Sequence, residues 1–404
     1  MFQNPNNNKV IHELKMEKSL QMRGIIFFSI NKYLIIMQQL PAHSVYQVQE
    51  SKETADAVAY AFLSNTGEPV QYPYKYPQIA DHDVRIRILF TGLCHSDCLH
   101  SRGLWNPHIK YPSCPGHEVV GEVEKVGTGV TKFKVGEKVG CNPQRWMCQT
   151  CEQCKKGDNQ LCSQFIGLYD DNNFGGYSTH IQVAERMVFR IPEGFNDALG
   201  SPLLCAGVTV YAPLKRYYKP NYTCAVIGIG GLGHLAVQYA AKLGMTVTAF
   251  TTSKNREQEI KRLGASNLSS SINLESLKAE QGKYDIVINT LYIEDEETFK
   301  SHQRLTAPTG TYIQVGAPPS KVNFKLDHAY IILNQIRVAG SLIGNYDETQ
   351  EMLEFSAQNN VYPIVETFEF EDFPKAFDRM EKAQAKFRCV VNVGKWAQAN
   401  GLWK

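Results

Sequence analysis

Three groups of residues in this 404-residue chain have the types and spacing to do chemistry. The densest is Cys148-x2-Cys151-x2-Cys154-x7-Cys162. Four thiolates this close can wrap one tetrahedral zinc inside a loop, and a closed sulfur shell stiffens the loop without doing chemistry. Reading them as four unrelated reduced cysteines leaves their crowding unexplained. The second group is scattered. Cys94 stands in Gly92-Leu-Cys-His-Ser-Asp97, His117 in Pro115-Gly-His-Glu-Val-Val-Gly121, and Cys205 in Pro202-Leu-Leu-Cys-Ala-Gly207. Two cysteines and a histidine make a zinc shell with a fourth position open to water or substrate. Taken singly, each also reads as a buried apolar filler or a hydrogen-bonded histidine. The third group is Gly228-x-Gly230-x-x-Gly233, where the first glycine permits a tight turn, the second a close approach to a pyrophosphate, and the third close helix packing.

The surrounding pattern supplies elements to hold these groups. Cys224–Ile229 is a short apolar run of the kind that makes a buried strand. Leu235, Ala236, Tyr239, Ala240 and Leu243 then repeat at helical spacing, so the helix N-terminus faces the phosphates. Thr246–Phe250, Tyr284–Asn289, Thr311–Val315 and Ile336–Ala339 read as further strands, alternating with helices over Lys254–Leu263 and Glu294–Leu305. Alternating β and α predicts a doubly wound parallel sheet. Upstream, Val84–Phe90 and Val119–Val126 alternate at period two among Gly and Pro turns, which predicts a β-rich domain. Tyr346–Phe355 and Phe373–Lys386 are helix candidates, Lys386–Val393 is a closing strand, and the tail from Trp396 reads as loose. Trp105 reads as a core tryptophan, with the lining of a substrate pocket as the alternative.

An acidic residue about 20 positions after the first glycine would bind the ribose hydroxyls of NAD. Here the chain reads Thr251-Thr252-Ser253-Lys254-Asn255-Arg256, with no carboxylate before Glu257. Hydroxyls with cations suit a 2′-phosphate, which points to NADP(H). A net charge of +2 carries no basic footprint for nucleic acid, and 43% hydrophobic with 20% charged residues is ordinary for a globular enzyme. Eleven cysteines, clustered rather than spread, predict a reducing and hence cytoplasmic setting. The apolar stretch Ile25–Met37 is interrupted by Asn31 and Lys32 and is too short to span a bilayer, so no membrane partner is expected.

Together these motifs resemble the zinc-dependent medium-chain alcohol dehydrogenases, over about residues 55 to 395, and most closely their cinnamyl-alcohol-dehydrogenase branch. The resemblance implies an α/β protein with a GroES-like β-rich catalytic domain and a Rossmann domain. It implies catalytic zinc at Cys94, His117 and Cys205 with Glu118 beside it, a structural zinc in the cysteine lobe, and a proton relay starting at Ser96. The position five after Cys94, often a relay histidine in the family, is Leu99 here, with His100 one later, so proton exit through His100, His95 or water stays open. Cofactor contacts are implied at Thr209, at Gly228, Gly230, Gly231, Leu232 and Gly233, at Thr252, Ser253 and Lys254, at Val315 and Gly316, at Ser341 and Ile343, and at Arg388. For Arg388 the plain reading is a surface arginine.

The expected organisation is a poorly ordered extension over 1–40, a catalytic domain over 41–194 and 338–404, and an NADP-binding domain over 195–337. The expected function is interconversion of primary alcohols and aldehydes with NADP(H), acting as an aldehyde reductase and, by resemblance, as a homodimer. A non-catalytic NADP(H)-binding redox sensor of the same fold is the alternative. A zinc-ribbon nucleic-acid binder conflicts with the near-neutral charge.

Overall fold

The computed structural model describes residues 55–170, 173–292, 295–318 and 325–403, with the backbone of the short strand Gln49–Glu50. The expected extension over 1–40 lies outside the described residues, as does the side chain of Lys254.

Six parallel strands form one sheet, in the spatial order Asn267–Ser270, Thr246–Thr251, Thr223–Ile227, Tyr284–Asn289, Thr306–Gln314 and Arg337–Gly340. The chain starts in the middle, winds outward to one edge, then returns to wind outward to the other. The direction reverses at Thr223–Ile227, whose neighbours are the second and fourth strands of the set. Ligands bind at such a switch point, outside the carboxyl ends of the strands. Thr223–Ile227 is apolar without alternation because both its faces are covered. Cys224 and Val226 enter one core, whereas Ala225 and Ile227 enter another on the opposite face.

The second large sheet is mostly antiparallel. Its order is Val188–Arg190, Lys138–Cys141, Glu118–Val126, Asp83–Leu93, Arg388–Asn392 and Val365–Glu369, with His180–Ala184 also paired to Asp83–Leu93. Along Asp83–Leu93, Val84, Ile86 and Ile88 are buried while Arg85 and Arg87 are half-buried, which is the period-two pattern of the sequence. The β-rich and doubly wound parts are therefore both present.

Three local readings are corrected. Trp105 is not a core residue: it is 38% exposed, and its indole Nε1 donates to the carbonyl of Pro318, 3.2 Å away. Its neighbours Asn106 and Pro107 are exposed as well. The tail from Trp396 is not loose: Gly394–Ala399 is a helix, and the Trp396 ring lies 4.8 Å from that of Phe370. Two aromatic residues there gain burial that a free tail would forgo. After Thr246–Thr251 the chain makes a 3₁₀ turn, Lys254–Arg256, before the helix Glu257–Arg262 begins.

Candidate active site

Sheet register brings the scattered ligands together. Gly92 pairs with Glu118 across two antiparallel strands, so Cys94, just past one strand end, meets His117, just before the other. On its other side Asp83–Leu93 pairs Leu93 with Cys389, which sets Arg388 beside the same end. Cys205 arrives from elsewhere, at the junction of the 3₁₀ turn Ser201–Leu204 and the helix Ala206–Tyr217. The ligand atoms of Cys94, His117, Glu118 and Cys205 all lie within 4.8 Å of one another. The closest approach is tight: a Cβ at Gly92 would stand 2.1 Å from Glu118 Oε2, so a larger residue there would displace that carboxylate.

Asp97 orders this cluster. It is fully buried in the helix His95–Ser101. Its Oδ1 accepts from His117 Nδ1 at 2.9 Å and from the Gly116 amide at 3.0 Å. Its Oδ2 accepts from the Cys94 amide at 3.1 Å and from the Tyr177 hydroxyl at 2.5 Å. With Nδ1 occupied by Asp97, His117 turns Nε2 toward the sulfurs, and that buried nitrogen has no partner among the described residues. Glu118 Oε2 is likewise buried without a partner, while Oε1 accepts from Arg388 Nη2. Sequence reasoning passed over Asp97, although the Cys-His-Ser-Asp motif displayed it.

Electrostatics fit the same cluster. Contact with Cys205 holds the Cys94 thiol well below its usual pKa despite burial, and that contact together with burial pushes Cys205 well up. Burial lifts the Glu118 carboxyl to about 7, with Arg388 opposing. Burial also opposes a charge on His117, but Asp97 outweighs it and raises that histidine well above its usual value. Two thiolates and a carboxylate carry more negative charge than Arg388 alone offsets, so ionising all three in a dry site calls for a further cation among them. The donor set, the orphaned Nε2 and the shared space all fit a zinc ion.

In the lobe, Cys148, Cys151, Cys154 and Cys162 also bring their sulfurs within 4.8 Å of one another. Individual separations are 3.5 Å for Cys148–Cys162, 3.9 Å for Cys151–Cys162 and 4.0 Å for Cys148–Cys154. Four sulfurs around a zinc ion at about 2.3 Å stand about 3.8 Å apart. Backbone amides of Cys148, Cys151 and Gln164 donate to these sulfurs at 3.3–3.4 Å, which favours the thiolate form.

The glycine turn closes at two positions and opens at one. Gly228 has φ +84°, and a Cβ at Gly233 would stand 1.7 Å from the Gly228 carbonyl oxygen. At Gly230 an added Cβ would meet nothing within 4 Å. Leu232 caps the helix Gly233–Lys242, and Gly231 lies under Arg388, whose Nη1 would be 3.1 Å from a Cβ placed there. Buried donors without partners among the described residues lie at the turn, Arg388 Nε and Arg256 Nη2, and just past the strand Arg337–Gly340, Ser341 Oγ. These fit an anionic dinucleotide. Arg388 is 6% exposed, which excludes the surface reading.

The other expected contacts sit as follows. Thr209 is buried one turn after Cys205, to whose carbonyl its amide donates at 2.9 Å. Thr252 is exposed and Ser253 half-buried past the strand Thr246–Thr251. Val315 and Gly316 follow Thr306–Gln314, and Ile343 is buried with φ +36°. Ser96 Oγ donates to Cys94 Sγ at 3.1 Å. Leu99 is buried and His95 exposed, whereas the His100 ring packs edge-on against Tyr169 at 4.6 Å. Tyr169, another residue the sequence did not single out, has its hydroxyl 3.5 Å from His117 Nδ1.

Comparison with known proteins agrees with this geometry. Residues 80–193 match the alcohol dehydrogenase GroES-like domain, and residues 231–358 match the zinc-binding dehydrogenase family. Alcohol dehydrogenase 9 of Catharanthus roseus is 36% identical over 84% of this chain and 96% of its own. A cinnamyl alcohol dehydrogenase of Sorghum bicolor superposes with a TM-score of 0.79 at 34% identity, covering 83% of this chain and 97% of its own. The Helicobacter pylori enzyme named CAD, solved with NADP(H), superposes with a TM-score of 0.76 at 32% identity, covering 84% of this chain and 98% of its own. With a metal-ligand cluster at one end of a β-rich sheet, a glycine turn at the switch point of a parallel one, and relatives alike over nearly their full length, this chain belongs to the zinc-type alcohol dehydrogenase family.

Proposed function

We propose that the protein interconverts primary alcohols and aldehydes with NADP(H), working as an aldehyde reductase. The observation that carries this reading is Arg388. It pairs with Glu118 in the metal-ligand cluster and packs against Gly231 in the glycine turn, so one buried side chain ties the two sites together. Cys94, His117 and Cys205 would hold zinc, which supplies a Lewis acid toward a substrate oxygen, while NADP(H) supplies or accepts the hydride. Asp97 fixes the His117 tautomer. Arg388 offsets the Glu118 charge. Ser96 hands on the proton of the hydroxyl group. The lobe cysteines would hold a second zinc.

The NADP(H) preference is supported by Arg256. Its Nη1 donates to the Ile229 carbonyl at 3.3 Å, its guanidinium stacks 4.2 Å over the Phe387 ring, and Glu259 takes Nε at 2.9 Å. Nη2 is the donor left for a 2′-phosphate. The reductive direction is carried by the resemblance to the cinnamyl-alcohol-dehydrogenase branch. A homodimer is supported by the edge strand Arg337–Gly340 and the exposed Ile332, Leu333 and Leu342 around it. All eleven cysteines are free thiols, which supports a cytoplasmic setting. Among the described residues no helix is long and apolar enough to cross a membrane.

The test is coenzyme oxidation with a panel of aliphatic and aromatic aldehydes. We expect kcat/KM to favour NADPH over NADH by about tenfold or more, the scale of one charge-assisted hydrogen bond. Equal use of the two coenzymes overturns the NADP(H) assignment. No turnover in either direction overturns the enzyme reading.

A further inference from the structure

Phe387 has a backbone that does not suit its side chain. Its φ is +72°, a conformation that glycine takes freely and a bulky residue takes only under strain. The Arg388 amide donates back to the Lys386 carbonyl at 3.2 Å, so Phe387 is the centre of a tight three-residue turn. Strain of this kind persists where the surroundings hold it, and it gathers at ligand sites. The turn leads into the strand Arg388–Asn392 of the antiparallel sheet, yet it lies over the glycine turn of the parallel one: a Cβ at Gly231 would stand 3.0 Å from the Phe387 carbonyl oxygen. The buried ring makes two contacts there. One is with the His234 ring, 4.5 Å away. That imidazole is itself fixed, since the Ile364 amide donates to Nε2 at 3.2 Å and Nδ1 donates to the Gly230 carbonyl at 2.9 Å. The other is with the Arg256 guanidinium, 4.2 Å from the ring centroid.

Core packing accounts for the imidazole contact but not for a cation over the ring face, which the ring attracts through its quadrupole. Lys386 adds a second hold on the same arginine. Its Nζ stands 3.1 Å from Glu259 Oε1, and Glu259 Oε2 takes Arg256 Nε at 2.9 Å. Consecutive residues of one turn thus orient Arg256, while its buried Nη2 keeps no partner among the described residues. We propose that Phe387 is a positioning residue for coenzyme choice: its ring holds the Arg256 guanidinium so that Nη2 reads the 2′-phosphate of NADP(H). An arginine free to rotate would lose side-chain entropy on meeting that phosphate, and a fixed one has lost it already. The inference rests on the NADP(H) reading above and names a residue on which that preference depends.

Fluorescence titration of the full-length, zinc-loaded protein with NADPH and with NADH gives the ratio of the two dissociation constants, and melting curves identify the folded variants. A residue that only packs the core moves both constants together and leaves their ratio alone. We expect Phe387→Leu and Phe387→Met to lower the NADPH preference about three- to tenfold. Phe387→Tyr, which keeps the ring face, should retain it. In an Arg256→Gln background Phe387→Leu should leave the ratio unchanged, because both changes then remove one shared effect. A parental ratio in the folded Leu or Met variant overturns the proposal. So does a Tyr variant no better than the Leu one, or an equal effect of Phe387→Leu with and without Arg256. A parent that binds the two coenzymes alike overturns the NADP(H) reading, and this proposal with it; a preference in the parent that survives Phe387→Leu overturns this proposal alone.

Discussion

Asp97 has four donors aimed at it, and that single carboxylate explains why His117 can present Nε2 to its neighbours. Its role is to position, so its loss should show first in metal retention. We expect Asp97→Asn to release catalytic zinc to a chelator about 10- to 100-fold more readily, while the lobe metal stays. Removing a ligand is harsher. Cys205→Ala should lower kcat/KM by about three orders of magnitude or more and leave one zinc per chain by metal analysis. Normal turnover in that variant would show that the three ligands do not act together. Leu99 sits buried where the family often has a relay histidine, and no proton can pass through it. His100 lies one position further along the helix and meets Tyr169 instead.

The strand–turn–helix unit at Thr223–Lys242 sorts its glycines by what each would strike. A methyl at Gly233 collides with backbone at 1.7 Å, whereas at Gly230 it meets no protein atom within 4 Å. Gly230→Ala should therefore melt like the parent yet bind NADPH at least about tenfold more weakly, because the methyl occupies space left for the pyrophosphate. Gly233→Ala should lose both fold stability and binding; a melting curve with a fluorescence titration separates the two. Helix histidines set a second element-scale property. Burial lowers His302 to about 4 and His234 to about 3. Both lie below the unfolded value of about 6.5, so in that interval the unfolded chain binds protons that the folded one refuses. Stability contributed by these neutral rings is complete above about pH 6.5 and drains away as pH falls through the folded values. Each adds at most about 1.4 kcal/mol per pH unit to the slope. Denaturant melts from pH 7 to 4 should show a shallower decline in His302→Gln than in the parent.

At the scale of the whole molecule, Trp105 Nε1 reaches from the segment after the ligand-bearing helix to the carbonyl of Pro318, beyond the fifth strand of the parallel sheet. Together with Arg388 it spans the two sheets' territories. Assembly is the remaining large-scale property. The parallel sheet ends in Arg337–Gly340, an unpaired edge among the described residues, with Leu333 82% and Ile332 71% exposed beside it. If this is the dimer face, Leu333→Asp should shift the mass in sedimentation or light scattering from dimer to monomer. A parent that is monomeric at micromolar concentration would remove the proposal.

Composition and local pattern determined much of this protein. The cysteine lobe was legible because all four thiols lie in one short loop, where spacing alone limits what they can do. The glycine turn was legible because it sits between an apolar run and a helical repeat, and the absence of a carboxylate through Arg256 is a local fact. Only tertiary structure decided what joins Cys94, His117, Cys205 and Arg388. Arg388 and Glu118 stand 270 positions apart, and strand register across three neighbouring strands brings them together. Pairing register depends on which strands become neighbours, and no window of sequence encodes that. The same holds for Trp396 and its helix: their polar, tail-like surroundings concealed a ring whose partner, Phe370, becomes adjacent only in the folded chain.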